Sequence, residues 1–151
     1  MMNTMPEKPI KLSIFSFPQH LCVVRATVEK LCQTMGFDAE TSGAVVLSVD
    51  EALANIIKHA YLGAEGRGIE IELLPIDEGQ SQGLRICLRD YGQRVDPARI
   101  KSRDLRDVRP GGLGVHIMQE CMDSIEFAPA EGGGTLLTMV KNIPVRQEAT
   151  K

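Results

Sequence analysis

Hydrophobic and polar positions alternate from Lys11 to Phe17 (KLSIFSF), a period of two that predicts a strand ended by Pro18. The period then lengthens. From Gln19 to Met35 the apolar residues Leu21, Val24, Val28, Leu31, Cys32 and Met35 recur at helical spacing, and Gly36 offers a C-terminal cap. Asp38 opens a longer helical stretch that runs to about Tyr61 and ends at Gly63. Alternation returns near Ile69–Leu74 and Leu84–Arg89, on either side of the polar turn Asp77-Glu78-Gly79-Gln80, which predicts an antiparallel hairpin with one buried face. Residues Tyr91 to Pro110 follow neither period: they are charged and hold two prolines, as a functional lid or a disordered connection does. A short helix over Gly112–Ser124 and strands at Ile125–Ala128 and Thr135–Asn142, around Glu131-Gly132-Gly133-Gly134, complete the pattern.

The order predicts an α+β fold, a two-layer α/β sandwich with a mixed sheet and helices on one face. A single domain over residues 1–143 is expected, with a lid at about 91–110 and a polar tail at 144–151. A length of 151 residues, 43% of them apolar, is enough for one hydrophobic core without disulfides or metal. Seventeen basic against 20 acidic residues leave a net charge of −3, and tryptophan is absent, so nucleic acid is not an expected partner. No apolar run has membrane-spanning length, and MMNTMPEKPIKLSIFSF lacks a secretory pattern, so no membrane partner is expected and the expected location is cytoplasmic. Cys22, Cys32, Cys87 and Cys121 form no C-x-x-C pair and no zinc spacing with His20, His59 or His116. They read as small buried hydrophobes in a reducing compartment.

Chemistry concentrates on the longer helix. At about 100° per residue, Val45, Val46, Val49, Leu53, Ile56, Ile57 and Ala60 gather on one side, the expected core face. Glu51, Asn55 and His59 fall on another side, one above the next, so a carboxylate, an amide and an imidazole share a ridge. A solvated polar face is the plain alternative for such a ridge taken alone. Asp90 and Gly92, in LRDYG, end the second hairpin strand; they suit either a turn or an acceptor carboxylate beside a close backbone approach. Gly111-Gly112-Leu113-Gly114 directly precedes a helix, where free N–H groups and the helix dipole favour an anion. It is no Walker loop, since no Lys-Ser or Lys-Thr follows Gly114, and Ile117 breaks the dinucleotide fingerprint.

Read in order, EALANIIKHAY (51–61), DYG (90–92), GGLGVHIMQECMD (111–123) and GGGT (132–135) resemble the ATP-binding Bergerat (GHKL) fold shared by gyrase, Hsp90, MutL and histidine kinases. Within that superfamily the chain is most similar to the stand-alone anti-sigma-factor serine kinases. The resemblance implies ATP and Mg²⁺ as cofactors. It makes Glu51 the general base, Asn55 the Mg²⁺ ligand and Asp90 the acceptor of the adenine amine, supported by Thr135. Gly92, Gly111, Gly112, Leu113 and Gly114 would line the nucleotide, Lys58 and His59 would border its phosphates, and Arg25 would contact a protein partner. The implied partners are a sigma factor and a STAS-type antagonist, and the family implies a homodimer, with the edge strand Lys11–Phe17 available for it. Where the wider superfamily has D-x-G-x-G, Gln93 and Arg94 follow Gly92 here, a relaxation common in the anti-sigma group. The alternative is a non-catalytic regulatory module that senses nucleotide or binds partners without it. A histidine kinase or an Hsp90-like ATPase is disfavoured, because 151 residues leave no room for their additional domains.

Overall fold

The structure, a computed structural model, describes residues 8–78, 81–92 and 112–144. Strand β1 (Ile10–Phe15) leads into helices α1 (Pro18–Met35) and α2 (Ala39–Asn55), and a π-helical turn, Ile56–Ala60, continues the second helix. Strands β2 (Gly68–Glu78) and β3 (Ser81–Asp90) follow, then helix α3 (Gly112–Cys121) and strands β4 (Ser124–Pro129) and β5 (Thr135–Asn142).

The α+β architecture is the expected one, but the sheet is not mixed. Its order is β1-β2-β3-β5-β4, and every neighbouring pair among the described residues is antiparallel. The reason is the route of the chain after β3. It re-enters the sheet through α3 at the far edge, as β4, and the following hairpin inserts β5 between β3 and β4. Strands β3 and β4 therefore run parallel without being neighbours.

Strand alternation fixes which face is buried. The cross-strand registers place Leu12, Ile71, Leu88, Leu137 and Phe127 in one row and Ile10, Leu73, Ile86, Met139 and Ile125 in the next. Most of this face packs in one cluster with Val24, Val28 and Leu31 of α1, Val45, Val49 and Leu53 of α2, and Val115 and Met118 of α3. Leu53 is fully buried there, and truncating such a leucine to alanine costs about 2–5 kcal/mol. The opposite face carries Glu70, Glu72, Arg85 and Arg89, as suits an antiparallel sheet with one wet side. A third row runs Ile14, Ile69 and Asp90, so at one end of the sheet the buried face finishes in a carboxylate.

Element ends shift by a few residues. Helix α1 starts at Pro18, where the missing N–H costs nothing, and ends on Gly36 at φ 93°. Asp77 and Glu78, expected in the hairpin turn, belong to β2, with Glu78 opposite Ser81. Pro75 is tolerated inside β2 because pairing with β1 has already ended at Leu73. Helix α3 stops at Cys121, and Ser124 already begins β4. Residues 93–110 of the expected lid, Gly111, and 145–151 of the tail lie outside the described residues.

Candidate functional site

Helix α2 begins with Asp38, whose carboxylate accepts a hydrogen bond from the Thr41 N–H at 2.7 Å. That N–H holds the Asp38 carboxyl below the usual carboxylate range. The apolar stripe Val45, Val49, Leu53 then fixes the rotation of the helix, with Val46 and Ile57 only partly buried at its margins. Glu51 and Asn55 emerge half-buried beside the start of α3. A Cβ on Gly114 would stand 2.8 Å from Glu51 Oε2 and 3.5 Å from Asn55 Oδ1. The first turn of α3 therefore lies directly against the Glu51 and Asn55 side chains, and that turn presents N–H groups with no intrahelical acceptor. An acid, an amide and a helix N-terminus are thus brought together.

The helix does not run unbroken to Tyr61. Its last turn widens, with Tyr61 N–H donating to Ile56 O at 3.0 Å and Gly63 N–H to Ile57 O at 2.8 Å. The chain then leaves through Leu62 at φ 52°, a left-handed conformation that leucine rarely adopts. Lys58 and His59 sit exposed on this turn. His59 is therefore no third step of an α-helical ridge above Asn55.

Asp90 is 3% exposed. Burial pushes its carboxyl above the usual carboxylate range, while the N–H groups of Gly92 and Thr135 pull the other way. The Gly92 N–H donates to Asp90 Oδ1 at 3.0 Å, and Thr135 is buried next to it at the start of β5. Gly92 itself lies against the π turn: a Cβ there would overlap the Ala60 carbonyl and stand 2.9 Å from the Ala60 Cβ. Behind Asp90, Gly134 at φ 80° leaves no room for a Cβ beside the Asp90 carbonyl. Arg89 ties this turn down, donating to Glu131 O at 2.6 Å and Gly133 O at 3.1 Å, with its guanidinium 4.5 Å from the centre of the Tyr91 ring.

The structure therefore joins Glu51, Asn55 and Gly114 in one cluster and Asp90, Gly92 and Thr135 in a second, with Ala60 touching the second from the end of the helix that carries the first. Leu113 is exposed on the first turn of α3, which Gly112 begins; Gly111, Gln93 and Arg94 lie outside the described residues. Arg25 stands apart on α1, donating to Cys22 Sγ at 2.9 Å and to Asp50 Oδ1 at 3.4 Å. The thiol contact and the Asp50 charge raise its pKa further. Cys22 is exposed, contrary to the expectation of a buried hydrophobe, because it falls on the outer side of α1. Cys32 does fit that expectation: burial pushes its thiol up to about 11. Sequence patterning did not single out Tyr61 or Arg89, two further residues of this region. The one available signal was an aromatic with a polar handle at the end of the Glu51–Asn55 helix.

A family model of the histidine kinase-like ATPase domain matches residues 16–141. The chain belongs to that family. Among curated proteins it is 26% identical over 155 residues to the serine-protein kinase RsbW of Listeria monocytogenes serovar 1/2a, covering 99% of this chain and 98% of that one. RsbW of Bacillus pumilus is 25% identical over 144 residues, covering 88% and 86% of the two chains. Among solved structures, a chain of the SiaB–SiaC complex of Pseudomonas aeruginosa superposes with a TM-score of 0.64 at 12% identity, over 91% of this chain and 90% of that one. The RsbU and RsbW domains of a Mycobacterium tuberculosis protein give a TM-score of 0.64 at 18% identity, over 91% of this chain but 34% of that longer one. At these identities the structural likeness speaks for the histidine kinase-like fold alone.

Proposed function

We propose that this histidine kinase-like ATPase domain is an ATP-dependent anti-sigma-factor serine kinase, which sequesters a sigma factor and phosphorylates a serine of a STAS-type antagonist. The observation that carries the reading is the seating of Gly114 against Glu51 and Asn55, with the buried Asp90 carboxylate held by the N–H of Gly92, which itself lies on Ala60 at the end of the same helix. The likeness to serine-protein kinases named RsbW supports it. In this reading residues 1–143 form the nucleotide-binding domain. Asp90 accepts the adenine amine with Thr135 beside it, Gly92 admits the base, and the Gly111–Gly114 backbone, with Leu113 alongside, receives the phosphates. Lys58 and His59 border the phosphates from the π turn.

The serine oxygen attacks the γ-phosphorus, the bond to the bridging oxygen of ADP breaks, and Glu51 takes the serine proton. The donor set fits Mg²⁺ held by one protein oxygen and the nucleotide. Among the described residues no group of three or more His, Cys, Asp and Glu could cage a metal, and Asn55 supplies one amide oxygen, which suits a cation that shares its shell with phosphates and water. Held there by Asn55, Mg²⁺ would supply a counter-charge to the phosphates. Arg25 contacts the sigma factor, β1 serves a homodimer, and the chain works in the cytoplasm. No described helix is long and apolar enough to cross a membrane.

The test is phosphate transfer from ATP to purified STAS-type antagonists, read as a mass shift. Wild type transfers, and Glu51→Ala slows transfer about 100-fold or more. Undiminished transfer in Glu51→Ala removes Glu51 from the base role. Capture of a sigma factor by a wild type that transfers to none of the antagonists establishes the non-catalytic module instead.

A further inference from the structure

Tyr61 stands at the junction of the two clusters, and the resemblance gives it no task. Its side chain is buried, with the Arg67 guanidinium 5.3 Å from the ring centre. The phenol touches both strands at the site end of the sheet. It donates its proton to the Gly68 carbonyl, where β2 begins, and accepts from the Tyr91 N–H at 2.9 Å, where β3 has just ended. These directions are forced, because a carbonyl cannot donate and an N–H cannot accept. The Tyr91 N–H needs such a partner, since pairing between β2 and β3 closes at Ile69 opposite Asp90. The next N–H along the chain, that of Gly92, is the donor to Asp90 Oδ1. Ala60, one residue before Tyr61, meets Gly92 by close backbone contact. Two successive residues at the end of the Glu51–Asn55 helix thus grip the two that follow Asp90.

We propose that Tyr61 is a positioning residue that aims the Asp90 carboxylate at the purine: its hydroxyl fixes Tyr91, which fixes the Gly92 N–H and hence Asp90, and so ties base recognition to the helix that carries Glu51 and Asn55. The inference rests on the nucleotide reading of the site and adds a specificity residue to it. A carboxylate aimed at an exocyclic amine favours ATP over inosine triphosphate, which has a carbonyl at that position. Tyr61→Phe keeps the ring and removes only the hydroxyl.

The experiment compares ATP and inosine triphosphate affinities by calorimetry for wild type, Tyr61→Phe and Val28→Ala, the last a core truncation on α1 away from the site. Wild type prefers ATP, Val28→Ala keeps that preference despite lower thermal stability, and Tyr61→Phe loses about tenfold of it. An unchanged ratio in Tyr61→Phe, or an equal loss in Val28→Ala, overturns the proposal. Absence of ATP binding by wild type instead sinks the nucleotide reading, and this inference with it. Should Tyr61→Phe not fold, amide hydrogen exchange on the wild type decides the matter. The Tyr91 amide is protected without nucleotide and slower still with ATP; an amide that exchanges freely in both overturns the assignment.

Discussion

Helices α1 and α2 have 18 and 17 residues, pack against each other and cover the same sheet, yet they end differently. Helix α1 stops on Gly36, left-handed at φ 93°, whose N–H caps the last carbonyls and which has open space where a Cβ would stand. Helix α2 widens into a π turn, leaves through a left-handed leucine and presses Ala60 on Gly92. The first end is what local rules prescribe. The second breaks them where Ala60 and Tyr61 meet Gly92 and Tyr91, and such departures collect where a fold trades local preference for a site.

The comparison breaks if the two ends respond alike to the same substitution. Gly92→Ala drives a methyl into the Ala60 backbone, for an expected loss of roughly 3 kcal/mol together with ATP binding. Gly36→Ala meets no atom and costs only the left-handed backbone, about 1 kcal/mol, with ATP affinity unchanged. Denaturant melts and calorimetry on both variants read the difference. Asp90→Asn comes next: ATP affinity falls about 100-fold, and the decline of thermal stability between acid and neutral pH becomes smaller. The sign follows from the raised carboxyl. Folded Asp90 holds its proton to higher pH than the unfolded side chain does, so its contribution to stability is complete below about pH 4 and is lost as pH rises through the folded value. The asparagine variant lacks that loss, and melting curves across pH check it.

Smaller effects sharpen the contrast. Leu62→Asn suits the left-handed backbone better and raises stability by about 1 kcal/mol or less in a denaturant melt. Asp38→Ala, at the regular start of α2, gives a modest fall in melting temperature at neutral pH with no change in ATP affinity. That difference from wild type shrinks as acid protonates Asp38, because the Thr41 N–H favours the ionised carboxyl.

The regular parts of this molecule were legible in its sequence because burial and period coincide there. Val24, Val28 and Leu31 on α1, and Val45, Val49 and Leu53 on α2, announce their faces by spacing. Strand order was not legible, since the insertion of β5 beside β3 depends on where α3 delivers the chain and leaves no local mark. The meeting of Glu51, Asn55 and Gly114 could be expected only from the resemblance, because separate segments contribute and no periodicity links them. The π turn was invisible: IIKHA continues an α-helical pattern, and it is the docking of Ala60 and Tyr61 on Gly92 and Tyr91 that accompanies the wider turn. Tyr61 showed only its polar handle at the helix end, and its task stayed hidden because its partners are the Gly68 carbonyl and the Tyr91 N–H, groups every sequence carries.

The most direct test of a nucleotide site built on Asp90 and Asn55 is a calorimetric titration of the purified chain with ATP, with and without Mg²⁺, beside Asp90→Asn and Asn55→Ala. The expected result is saturable binding that Asp90→Asn weakens about 100-fold and that loses its Mg²⁺ dependence in Asn55→Ala. No binding at millimolar ATP, or binding indifferent to both substitutions, would contradict it.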